Sequence, residues 1–187
     1  RIAVMALQNI FPEITNQEVI DYAAQLADSL QMNENVVKMV EAAQKGLLTE
    51  EGKMFTDFTI EDSDGKTVSF SDFVGKGQYV LVDFLASWCG PCKMEIPNIR
   101  KAYETYGPKG LVVLSVAVWD RPEDTKAAAA EHGVVWNQII NAQHIPTELY
   151  GISGIPQIML FGPDGTILKR DLRGEGIEEE LSKYFQE

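Results

Sequence analysis

Only two cysteines occur in 187 residues, and they lie three positions apart at Cys89 and Cys92. A framework of structural disulfides needs more thiols, and a bond across so short a span restricts the unfolded chain very little. The pair is better explained by chemistry than by stability. Histidine is as scarce: His132 and His144 stand far from zinc-knuckle spacing, with each other or with the dithiol, so no metal is expected. Basic residues are also short, 16 against 28 acidic, and the net charge of −12 works against a phosphate backbone or an anionic membrane surface. Nucleic acid is therefore not an expected partner. Long hydrophobic runs are missing too; the longest, Leu111 to Trp119, is broken by Ser115 and falls well short of the roughly 18 residues a membrane helix needs. No internal repeat or low-complexity segment is visible. What is present is a 45% apolar fraction, enough for the core of one ordinary domain and a short additional element.

The first fifty residues have helical spacing. Thr15-Asn16-Gln17-Glu18 has the form of a capping box, and Val19, Tyr22, Ala23, Leu26 and Leu30 recur on one helical face after it. A second helix is expected after Asn33, carrying Val36, Val37, Met39, Val40 and Ala43 to a stop near Gly46. This amphipathic hairpin, residues 1–52, is expected to be an extension dispensable for model-substrate turnover, ahead of a catalytic domain over 53–187. From Met54 onward short strands alternate with helices. Asp64-Gly65 and Pro163-Asp164-Gly165 mark hairpins, Tyr79 to Leu85 and Leu111 to Val118 suit buried strands, and helices are expected near 91–106, 122–132 and 177–185. The grammar is that of an α/β sandwich. Asp83 is the one charge in the first buried strand.

The dithiol falls where that strand gives way to a helix. Helix-terminal amides without partners and the positive end of the helix dipole favour a thiolate at Cys89, making it the expected nucleophile. Cys92, one turn further in, is expected to resolve the mixed disulfide. Pro91 can open the helix because its missing amide hydrogen would have had no partner there.

The segment Val82-Asp83-Phe84-Leu85-Ala86-Ser87-Trp88-Cys89-Gly90-Pro91-Cys92-Lys93 resembles the active-site segment of thioredoxins, and Gly154-Ile155-Pro156-Gln157 resembles the loop that faces it. The resemblance is closer to the extracytoplasmic TlpA and ResA type, including Bacteroidetes-type members with helical extensions. Phe58-Thr59-Ile60, Asp64-Gly65-Lys66, Ser71-Asp72-Phe73 and Cys92-Lys93-Met94-Glu95-Ile96-Pro97 carry it. It spans about Met54 to Tyr184 and implies a thioredoxin-like three-layer sandwich with a central mixed sheet. It further implies that Pro156 is cis and packs beside the dithiol, and that the backbone at Ile155 pairs with an incoming substrate strand. Trp88 would shield the nucleophile, with Gly90 and Pro91 completing the contact surface. Asp83 matches the buried acid of thioredoxins and Glu95 the acid of ResA-type proteins, so two proton acceptors compete. Burial favours Asp83 for deprotonating Cys92, with Glu95, one turn beyond Cys92 and nearer solvent, modulating the Cys89 thiolate.

The expected activity is protein-disulfide reduction without a bound cofactor, with re-reduction by an upstream, membrane-bound dithiol donor. The expected location is extracytoplasmic, periplasmic, with an anchor on a removed upstream segment because the chain opens on Arg1. Cytochrome c maturation is one role within that family. Disulfide oxidase or isomerase is the main alternative. A peroxiredoxin-type peroxidase would need a Pro-x-x-x-Thr/Ser-x-x-Cys pattern that Cys89 lacks, and copper modules of this fold space their thiols differently and add a histidine.

Overall fold

The computed structural model describes residues 14–26 and 28–186; the remainder of the expected extension, residues 1–13, lies outside them. The first helix, α1 (Asn16–Ala24), opens on the expected capping box, Thr15 and Glu18 satisfying each other's backbone amides. It ends at a Gln25 cap although Leu26 and Leu30 continue its spacing, and a single turn, α2 (Asp28–Gln31), follows. Spacing alone therefore read one helix where the chain turns between two. The third helix, α3 (Glu34–Leu48), is capped by Asn33 and runs through Gly46 rather than stopping there.

That glycine has a packing role within the extension, since an added Cβ would run into the Asn16 side chain of α1. Gly151, with φ +61, sits so close to α3 that an added Cβ would lie 2.7 Å from the Ala42 carbonyl oxygen and 2.8 Å from the Gly46 nitrogen. The seam is sealed by Thr49, fully buried, whose carbonyl and hydroxyl oxygens accept from Arg170 Nη1 at 2.5 and 2.9 Å. Arg170 Nη2 reaches the Tyr150 carbonyl at 2.9 Å.

The rest of the chain builds a hairpin and a mixed sheet. Strands β1 (Thr59–Glu61) and β2 (Thr67–Ser69) pair antiparallel and stand apart as a two-stranded sheet. The main sheet comprises β3 (Val80–Leu85), β4 (Val112–Ala117), β5 (Asn137–Ile139), β6 (Gln157–Phe161) and β7 (Ile167–Lys169), in the order β5-β4-β3-β6-β7. The first three are parallel, while β6 and β7 run antiparallel to their neighbours. Parallel neighbours require crossovers, which α4 (Gly90–Tyr106) and α5 (Pro122–Glu131) supply. Helices α6 (Ile145–Leu149) and α7 (Glu175–Leu181) complete the chain; β5 and α6 lie in a stretch that sequence patterning left unassigned.

Strand alternation sorts the core into two layers. Leu81, Val113, Ile158 and Leu160 face α4 and α7, meeting Ile99, Ala102, Ile177 and Leu181. Val80, Val82, Phe84, Val116 and Phe161 face the other way, onto Phe58, Phe70 and Tyr150. Each such side chain, fully removed from water, contributes roughly 2 kcal/mol. The result is the α/β sandwich with a central mixed sheet that the sequence led us to expect. Among the described residues no helix is long and apolar enough to cross a membrane.

Candidate active site

The sheet places its functional groups at the carboxyl end of β3. That strand delivers Leu85 and Ala86 to a short turn, Ser87-Trp88, and Cys89 then caps α4 with its side chain accepting from the Cys92 amide at 3.1 Å. Pro91 lies in the first turn, where its missing donor costs nothing, and the helix continues through Pro97 to Tyr106. The two sulfurs are bonded, with Cα atoms 5.3 Å apart. Cys89 is 4% and Cys92 1% exposed, the order expected for an outer and an inner thiol. Trp88 beside them is largely exposed, and its indole nitrogen donates to the Trp119 carbonyl at 3.0 Å.

The Ile155-Pro156 peptide is cis, and Ile155 packs on the cluster formed by Ala86, Cys89 and Cys92. The loop implied by the resemblance thus lies against the dithiol. Arg173 donates to the Pro156 carbonyl and, at 2.6 Å, to that of Leu172.

The two candidate acids differ in surroundings. Asp83 is 1% exposed, paired across the sheet with Ser115 and Ile158, and its Oδ1 has no hydrogen-bond partner. Burial pushes its pKa up to about 7; the Arg173 cation opposes this and the Glu95 charge reinforces it. Glu95 is half-buried, and its Oε2 accepts from Asn98 Nδ2 at 2.9 Å and from the Gly174 amide at 3.0 Å. It is therefore not the idle surface carboxylate that a helix position alone permits. A cavity of about 20 Å³, room for about one water, lies beside Cys92 and is lined by Lys93, Ser115, Thr125 and His132 among others.

Residues 52–170 match the model of the AhpC/TSA family. The chain belongs to that family. Within it the similarity runs to disulfide-exchange proteins. The thiol-disulfide oxidoreductase ResA of Bacillus thuringiensis subsp. konkukian is 27% identical over 135 residues, 72% of this chain and 76% of the relative. The ResA protein of Bacillus subtilis is 29% identical over 119 residues, 64% and 65% of the two chains. Among solved structures, the thioredoxin domain of a thiol-disulfide oxidoreductase from Bacteroides vulgatus superposes with a TM-score of 0.66 at 35% identity, covering 72% of this chain and 97% of that one. A thiol:disulfide interchange protein from Bacteroides sp. gives 0.64, also at 35% identity, over 72% and 90%. The chain is thus a thioredoxin-fold thiol-disulfide oxidoreductase, as its dithiol segment led us to expect, and its substrates are protein disulfides. The peroxidase alternative needed a Pro-x-x-x-Thr/Ser-x-x-Cys pattern, and Val82-Asp83-Phe84-Leu85 stand where it would lie.

Two residues escaped the sequence reading. Arg173 comes close only because the corner after β7 folds back onto the Pro156 loop. Asp120 reaches the dithiol turn from the end of β4; the rule that parallel strands gather sites at their carboxyl ends could have flagged it.

Proposed function

We propose that the protein works as a reductase, passing two electrons from Cys89 and Cys92 to disulfides in partner proteins. The observation that carries this reading is the dithiol at the start of α4, with Ile155 and Pro156 packed against it and Gly90-Pro91 between the thiols. The Cys89 thiolate attacks one sulfur of the substrate disulfide, forming a mixed disulfide and releasing one substrate thiolate. Cys92 then gives its proton to Asp83 and attacks Cys89 Sγ, releasing the second thiolate and closing the Cys89–Cys92 bond. The backbone of Ile155 pairs with the substrate strand, while exposed Trp88 offers an apolar face beside the sulfur.

Return to the dithiol needs an outside reductant, a second protein dithiol attached to a membrane in our reading, and no bound cofactor takes part. The resemblance to extracytoplasmic reductases supports action outside the cytoplasm, where reduced thiols must be maintained against an oxidising background.

The reduced protein should reduce insulin disulfides, and its midpoint potential should lie on the reducing side of about −200 mV. Cys89→Ser should abolish turnover, whereas Cys92→Ser should trap substrate on Cys89. A potential near about −120 mV would instead assign an oxidase. Substrate trapped on Cys92 in Cys89→Ser would reverse the order of attack.

A further inference from the structure

A second aspartate is buried at the dithiol, and the exchange steps above do not use it. Asp120 follows the end of β4 and is 8% exposed. Its Oδ2 accepts from the Ser87 amide at 2.6 Å and from Thr125 Oγ1 at 2.8 Å. Its Oδ1 accepts from Ser87 Oγ at 2.9 Å and from the Arg121 amide at 3.0 Å. Four donors converging on one carboxyl group is the pattern of an ionised acceptor. The residue before it, Trp119, takes the unusual φ of +54 and presents the carbonyl that holds the Trp88 indole. Gln143 Nε2 in turn donates to the Asp120 carbonyl at 2.7 Å. Two consecutive residues beyond β4 therefore grip two consecutive residues that lead into Cys89.

We propose that Asp120 is a positioning residue that fixes the Ser87-Trp88 turn ahead of Cys89 and whose negative charge restrains ionisation of the Cys89 thiol, holding the protein on the reducing side. This rests on Cys89 being the nucleophile. An anion tied to the turn carrying Cys89 disfavours the thiolate and works against the positive end of α4. A less stabilised thiolate means a less stabilised reduced form, hence a stronger reductant. Other charged or titratable groups lie on the elements around the dithiol, among them His132 at the end of α5, which lines the cavity beside Cys92. From α4 come Cys92, Lys93 and Glu95; from β3, Asp83; from the turn after β4, Arg121 beside Asp120; and from the corner before α7, Arg173. Among the described residues, Asp120 is the carboxylate bonded directly to the turn. The arrangement also ties α5, through Thr125, to the turn ahead of the dithiol.

Asp120→Asn separates charge from contact. With its oxygen in the Oδ2 position, asparagine still accepts from the Ser87 amide and Thr125, and its amide can donate to the Ser87 hydroxyl; only the Arg121 amide loses its acceptor. The pH dependence of iodoacetamide alkylation at Cys89 in the reduced protein should shift down by about half a pH unit, which is about threefold faster alkylation at acidic pH. The glutathione equilibrium should move about threefold toward the dithiol. An alkylation profile unchanged or shifted upward, in a variant that melts like the wild type, would overturn the proposal. Thr125→Val supplies an independent test with Asp120 in place: losing a donor leaves the carboxylate less compensated, and the alkylation profile should move up. A downward shift or none there would also defeat it. Failure of the wild type to reduce protein disulfides would count against the function proposed above, yet would leave the alkylation profiles measurable.

Discussion

Two aspartates flank the dithiol, and they are buried on opposite terms. Asp83 lies under α4 on an apolar strand, with Oδ1 unpartnered, and its pKa rises to about 7. Asp120 lies beside the turn ahead of α4, nearly as deeply buried, with four donors on its two oxygens. Burial without donors makes a group that exchanges a proton near neutrality; burial with donors makes a fixed charge. On the roles proposed above, the two regions divide the chemistry, one serving the proton of Cys92 and the other the thiolate of Cys89.

That division can be broken experimentally. The largest effect should come from Asp83→Asn, which removes the proton acceptor and should slow resolution of a preformed mixed disulfide by roughly 10- to 100-fold near neutral pH. Rapid-quench measurements should show the first attack by Cys89 much less affected; equal slowing of both steps would erase the distinction between the two acids. In the wild type, resolution should quicken as pH rises through about 7, because only the ionised carboxylate accepts a proton.

Asp83 also predicts a stability profile. Its folded pKa lies above the unfolded value, so the folded state binds the extra proton, and stability falls as pH rises from the ordinary carboxylate range through about 7. The full difference is on the order of 4 kcal/mol. Urea unfolding of the oxidised protein should find Asp83→Asn more stable than wild type at pH 8, with the gap closing toward pH 4. A gap independent of pH would mean that Asp83 has the same pKa folded and unfolded, so that burial does not raise it.

The smallest effect should come from Glu95→Gln, since glutamine keeps an oxygen for the Gly174 amide and Asn98. Resolution should change by less than about threefold, with a modest shift in the pH dependence of Cys89 alkylation. Loss of resolution in Glu95→Gln, with none in Asp83→Asn, would transfer the proton to Glu95 and leave Asp83 a core carboxylate.

Features written locally in the chain were legible before any coordinates. The Cys89-Gly90-Pro91-Cys92 turn, the apolar run around Asp83 and the Thr15 capping box each depend on neighbours a few residues away, whereas the Ile155-Pro156 loop was legible only through its resemblance to a known family. What stayed hidden depends on chain separation. Asp120 meets Ser87 across thirty-three residues and Arg173 meets Pro156 across seventeen, and no spacing rule links either pair. Gly46 was misread for a related reason: glycine commonly ends a helix, but here it leaves room for the Asn16 side chain of α1, thirty residues away, a fact visible only once the two helices are packed together.

The close approach of Gly151 to the backbone of α3 makes residue 151 a compatibility code between the extension and the catalytic domain. A chimera joining this helical hairpin to another thioredoxin-like domain would seat α3 only where the recipient carries glycine at the equivalent of Gly151. Even alanine there would drive a methyl group into the α3 backbone. Conversely, a recombinant chain cut between Leu48 and Thr49 would lose α3, and bare the surface around Tyr150 that the helix covers. Extension and domain thus fit only as a matched pair.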